Sequence, residues 1–139
     1  MINIADIISR LQTTTSFNVD YARAKEPSLQ DVTIPLIYVG YGSIRTELAD
    51  KVMDFNEFNF AGEGMLQVIE IQIVCSITSF YDTFRTVYKA LNGFNPVGGG
   101  EEQRTALSYE QGGVMGIDNG NLWHLDRYRI GFSTQSTDF

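Results

Sequence analysis

Residues 65–78, MLQVIEIQIVCSIT, alternate apolar and polar side chains with period two. Ile69, Ile71, Ile73, Cys75 and Ile77 fall on one side, and Glu70, Gln72 and Ser76 on the other, with Val68 and Val74 among them. That period predicts a β-strand with one buried face and one partly wet face. The period then changes in SFYDTFRTVYKALNGFNP, residues 79–96. Phe80, Phe84, Val87 and Leu91 are spaced four, three and four, which sets them on one face of a helix. Ser79 stands at the N-cap position. Asp82 in the first turn and Lys89 near the last complement the helix dipole. Gly93 and Pro96 stop the helix.

The same reading extends along the chain. Ile4, Ile7, Ile8 and Leu11 form a compact stripe that predicts a first helix over 3–13, capped by Asn3. FNVDYA (17–22) and IPLIYVGYG (34–42) predict strands, the second starting at or beside Pro35. TALSYEQGGVMGID (105–118) predicts a strand bent at Gly112-Gly113. DNGN (118–121) is a hairpin turn signal, and LWHLDRYRIGFST (122–134) the return strand. Trp123 and Leu125 share one face there, whereas Tyr128, Ile130 and Phe132 share the other, which predicts a bulge near Asp126. Residues 43–64, SIRTELADKVMDFNEFNFAGEG, hold five acids, two bases and three Phe without a sustained period. They predict a protruding loop or β-arm with a job of its own. The elements together predict one α+β domain over 1–139, a mostly antiparallel sheet with two helices packed on one face.

Composition narrows the function. A chain of 139 residues, 43% of them apolar, suits one ordinary globular core. Seventeen acids against ten bases leave a formal charge of −7, so a surface that grips nucleic acid phosphates is not expected. The first 70 residues carry ten acids and five bases, the remainder seven and five. Cys75 is the single cysteine, which rules out a disulfide within the chain and a Cys-rich metal site. MINIADIISRLQ lacks the basic and apolar regions of a signal peptide, and no stretch has the length of a membrane span. A soluble protein made in a reducing cytoplasm is expected.

Candidate chemistry is sparse. His124, the single histidine, has no nucleophile motif near it and is expected to be a structural or surface residue. GEG at 62–64 and GGG at 98–100 lack the lysine and following helix of a phosphate loop. DNGN with Asp126 lacks the spacing and final glutamate of a calcium loop. No catalytic residue, cofactor-binding residue, metal ligand or cofactor is therefore expected. The candidate interface is Asp54, Phe55, Glu57, Phe58 and Phe60. Its aromatic side chains sit in a segment with too little period to bury them itself, and a partner surface can.

A long strand at 66–77 runs directly into a helix ending KALNGFNP, a glycine-rich loop follows, and a hairpin ending LWHLDRYRIGF closes the chain. This layout, across most of the chain, resembles the tail terminator proteins of tailed bacteriophages, also called tail completion or tail-to-head joining proteins. The resemblance implies an α+β domain that forms a hexameric ring at the head-proximal end of the virion tail, after assembly in the host cytoplasm. The ring would cap the finished tail tube, end tube polymerisation, and dock the neck or head-tail connector protein. In a contractile tail it would also meet the sheath protein. DNA would pass through the ring without specific binding, no membrane would be involved, and the family has no catalytic residues to carry over. An acid excess suits a lumen that repels phosphates and equally suits plain solubility. Two other readings stand beside this one. The first is a different neck or head-tail connector protein, and the second a small-molecule-binding domain or enzyme with a pocket under the aromatic helix, using His124.

Overall fold

The computed structural model describes residues 2–46, 64–96 and 103–133. Helix α1 (Ile4–Thr14) starts where the Asn3 side chain accepts a hydrogen bond from the Ala5 amide at 3.0 Å. Ile4, Ile7, Ile8 and Leu11 are all buried, as their spacing requires. The hydroxyls of Thr13, Thr14 and Thr15 bond back to carbonyls of Ser9, Arg10 and Leu11. They add a second donor to carbonyls of the last turns, the Leu11 carbonyl accepting from the Thr15 amide as well, so the threonine hydroxyls are satisfied locally at the helix end.

Among the described residues six strands form one sheet: β1 (Asn18–Tyr21), β2 (Leu36–Thr46), β3 (Gly64–Ser76), β4 (Gln103–Arg104), β5 (Ser108–Asp118) and β6 (Asn121–Ser133). Their spatial order is β1-β2-β3-β6, and β4 and β5 share the far side of β6. Every pairing is antiparallel except β1 with β2, which is parallel. The strongly alternating strand β3 is central, flanked by β2 and β6 along its length. The β5–β6 turn places Asn119 and Gly120 at φ 53 and 75, the left-handed pair that a tight hairpin demands. Both helices cover one face of the sheet. Ile7, Ile8 and Leu11 meet Ile37, Val39, Ile69, Ile71, Ile73, Val87, Leu91 and Ile130 in a single core.

Helix α2 (Phe80–Leu91) follows β3 through one 3-10 turn, Ile77–Ser79. The predicted cap at Ser79 is not made: Ser79 already has near-helical backbone angles and no capping bond. Ser76 takes that role three residues earlier, its hydroxyl accepting from the Ser79 amide at 3.3 Å. The buried stripe is Thr83, Val87, Ala90 and Leu91, with Phe80 and Phe84 half-buried at its margin. The helix is thus rotated so that its aromatic face turns toward β5 and β6. It ends as expected at Gly93, φ 88, whose amide donates to the Leu107 carbonyl at 2.7 Å.

Three expectations are corrected. Residues 43–46 belong to β2, paired to β3 through Ile44↔Gln67, Arg45↔Leu66 and Thr46↔Met65, beyond a register shift after Tyr41. That shift disguised the strand's period; of the arm expected at 43–64, residues 43–46 continue β2 and Gly64 opens β3. The remainder of that segment, including Asp54, Phe55, Glu57, Phe58 and Phe60, lies outside the described residues. Next, the glycine-rich loop expected over NPVGGGEEQR (95–104) ends in a short strand, with Gln103 and Arg104 paired to Ser133 and Phe132. Finally, β6 has no bulge near Asp126: its register with β3 is unbroken from Asn121↔Ser76 to Ser133↔Gly64. The irregularities lie on β5, between Tyr109 and Gln111 and between Val114 and Gly116, either side of the predicted bend. Strand β6 therefore keeps one phase. Leu122, His124, Asp126, Tyr128 and Ile130 all point into the molecule.

Candidate functional site: a covered polar cluster beside an open sheet edge

An unbroken β6 puts two polar side chains, His124 and Asp126, at core positions under the aromatic face of α2. Both are buried, and Asp126 is fully so. His124 Nε2 lies 2.7 Å from Asp126 Oδ1, and the Tyr109 hydroxyl donates to the same oxygen at 3.2 Å. Phe80 lies over the imidazole with ring centroids 4.6 Å apart, and Phe84 meets it edge-on at 6.2 Å. Tyr109 in turn packs edge-on against Phe84, Tyr88 and Tyr128. This is why the helix is so aromatic: its rings roof a polar pair and keep water from it. Burial, reinforced by the Asp126 charge and hydrogen bond, pushes the Tyr109 phenol up to about 12. Burial also raises the Tyr128 phenol, with Asp126 adding to the effect. Asp126 Oδ2, His124 Nδ1 and the Tyr128 hydroxyl have no hydrogen-bond partner among the described residues, so the cluster is only partly satisfied there.

Gly112 completes the enclosure from β5, opposite Asp126. A Cβ there would overlap Asp126 Oδ1 and stand 2.8 Å from both His124 Nε2 and the Tyr109 hydroxyl. Gly112→Ala is accordingly expected to destabilise the fold by about 1–3 kcal/mol through overpacking. Gly113→Ala, where a Cβ meets nothing within 4 Å, is expected to leave the urea midpoint close to that of the native chain. Equal midpoints for the two variants would remove the close approach at Gly112.

The cluster lies next to an open edge. The start of β5 is covered, since Tyr109 N donates to the Asn92 side chain at 3.0 Å. Beyond Glu110 no described residue pairs with its outer side. Residues 111–117, QGGVMGI, carry no charge. Val114, Met115 and Ile117 are 56%, 52% and 61% exposed. Natural sheets guard such edges with Lys, Pro, bulges or short strands. Two register irregularities are the device found here.

The structure thus gives His124 a structural setting, but not the surface one. Sequence reading missed Asp126 as its partner, although the i, i+2 spacing on one strand was the available signal. It missed Tyr109 and Gly112 as well, which only the β5–β6 register brings to the pair. Beneath α2 the half-buried rings of Phe80 and Phe84 lie on the His124 side chain. A cleft of about 360 Å³ opens instead on the other side of the sheet, lined by Arg23, Lys25, Glu26, Pro27, Ser28, Tyr38 and Gln72. Cys75 is a buried strand thiol whose pKa is raised by burial. Among the described residues no group of three or more His, Cys, Asp or Glu is placed to hold a metal ion. No described helix is long and apolar enough to cross a membrane. No protein-family model matches the chain, and no curated protein sequence matches it.

Proposed function

We propose that the chain is a structural subunit of a phage tail, assembling into a ring that caps the tail tube, ends its polymerisation and joins it to the neck or head. The observation that carries this reading is the sequence of elements. A long central strand, β3, feeds through one turn into α2, and the β5–β6 hairpin closes the sheet. That is the layout on which the resemblance to tail terminator proteins rests. The uncharged open edge of β5 supports it, because a subunit of an assembly needs surfaces that neighbours can cover. The buried His124–Asp126 pair serves the fold in this reading, not a reaction. Its partners are further copies of the chain, the tail tube protein, and the neck or head-tail connector protein, with the sheath protein added in a contractile tail. DNA passes through the opening without specific contacts.

The test is direct. Purified protein is imaged in negative stain and then mixed with tail tubes polymerised from their own subunits. Rings of six-fold symmetry that sit on one tube end and stop elongation are the expected result. Tubes that elongate at the same rate with and without the protein would remove the tail-cap reading.

A further inference from the structure

The chain holds two Asn-Gly pairs, Asn92-Gly93 and Asn119-Gly120, and both asparagines are exposed. Glycine after asparagine offers a backbone amide with no side chain beside it, so that nitrogen can reach the carboxamide carbon. Sequence and exposure treat the two pairs alike, but the fold does not. At the end of α2 both reacting groups are held. The Gly93 amide donates to the Leu107 carbonyl at 2.7 Å, and Asn92 Oδ1 accepts from the Tyr109 amide at 3.0 Å. In the β5–β6 turn neither group is held in that way. The Gly120 amide donates to no described residue. The Asn119 carboxamide has one bond there, from Nδ2 to Gln30 Oε1 at 3.3 Å, and Gln30 is itself an exposed side chain.

We infer that Asn119 is a modification site, at which the folded chain deamidates spontaneously with water as the co-reactant, and that Asn92 is protected. The Gly120 amide nitrogen attacks Asn119 Cγ. A carbon–nitrogen bond forms there as the bond from Cγ to Nδ2 breaks, and the proton of the Gly120 amide leaves with Nδ2 as ammonia. Water then opens the cyclic imide at one of its two carbonyls. Opening at Cγ leaves aspartate at 119. Opening at the backbone carbonyl leaves isoaspartate, whose main chain runs through Cβ and Cγ and is one atom longer. No electron is gained or lost, and either product adds a negative charge next to Asp118. The longer main chain matters because the turn is a fastening point. The Gly120 carbonyl accepts from the Ile77 amide at 3.0 Å, in the 3-10 turn before α2. Asn121, the next residue, is buried, and its Nδ2 donates to the Leu29 carbonyl at 2.7 Å, in the segment that walls the cleft on the other side of the sheet. A tight two-residue turn has no room for an added main-chain atom, so isoaspartate at 119 loosens both attachments. The inference does not depend on the tail-cap reading.

The experiment incubates the full native chain in mildly alkaline buffer, with and without denaturing urea. Peptide mass spectrometry follows conversion at each asparagine, and heavy-oxygen water marks the products formed during incubation. In the folded chain Asn119 is expected to convert, and Asn92 to convert at least roughly tenfold more slowly, since two hydrogen bonds must open before its pair can react. In urea the two sites are expected to convert at similar rates, because the protection of Asn92 belongs to the fold. Equal rates at the two sites in the folded chain would overturn the inference. So would an Asn119 that stays intact in the folded chain while both sites convert in urea. The chains bearing isoaspartate are then separated by charge and compared with the native chain by hydrogen exchange. The Ile77 amide is expected to exchange severalfold faster in them, as a local opening of the turn requires. Exchange at the native rate would overturn the loosening. Asn119→Asp, which adds the charge without the extra main-chain atom, is the control and is expected to keep the native exchange rate at Ile77.

Discussion

His124→Ala is expected to lower the stability of the fold by about 3–5 kcal/mol, the range for breaking a buried polar pair by removing one partner. Asp126 is fully buried, and its Oδ1 accepts from His124 Nε2 at 2.7 Å and from the Tyr109 hydroxyl at 3.2 Å. Without the imidazole, that oxygen keeps one neutral donor and Oδ2 still has none. A carboxylate so placed has lost its hydration and gained little in exchange. A void also opens beneath Phe80, whose ring packed on the imidazole at 4.6 Å. The polar and packing contributions can be separated. Replacing both partners with apolar groups, His124→Leu with Asp126→Val, removes the stranded charge and most of the void. The double variant is therefore expected to be more stable than His124→Ala alone. Urea unfolding of the three chains checks both statements. A loss below about 1 kcal/mol in the single variant would fit a solvent-exposed histidine and not this buried pair.

The same pair marks where sequence reading stopped working. Strand β3 was legible because Ile69, Ile71, Ile73 and Cys75 keep one period on the buried face, and so was α1, whose four apolar side chains are all buried. Strand β6 was not, because period reading assigns polar side chains to the wet face. His124 and Asp126 sit at core positions, so a continuous strand read as two half-strands out of phase. Pairing between neighbouring strands resolves this, and pairing is a long-range property that no local window contains. The rotation of α2 has the same origin. A stripe through Phe80, Phe84, Val87 and Leu91 and one through Thr83, Val87, Ala90 and Leu91 share two members. Which of the two points into the core depends on what lies beneath. Here Phe80 and Phe84 are held at the margin by a polar cluster that only partly buried rings can roof. The β1 edge illustrates the remainder. Nothing in NVDY announces that Asp20 will bond the next amide, or that Gln12 will reach the Val19 carbonyl across from α1.

Leu91→Ala tests the packing that both stripes agree on, and a loss of about 2–5 kcal/mol is expected. Leu91 has no exposed surface and lies in one core with Ile71, Ile73 and the α1 side chains. The helix itself gains from the change, since Ala is the better helix former by a few tenths of a kcal/mol. The loss therefore reports tertiary packing alone. Collapse of the surroundings is restrained on two sides. Strand β3 is paired along its length on both flanks. The junction of the helices is tied by Arg10, whose Nε donates to the Ala90 carbonyl at 3.1 Å and whose guanidinium sits 5.0 Å from the Phe94 ring centre. A cavity that cannot close retains its full cost, which places the expected value in the upper half of the range. Tyr81→Ala, on the same helix but 69% exposed, is the control and is expected within about 0.5 kcal/mol of the native chain. If urea unfolding gave the two variants equal midpoints, Leu91 would not be the inward side of α2, and the orientation that brings Phe80 and Phe84 over His124 would fall with it.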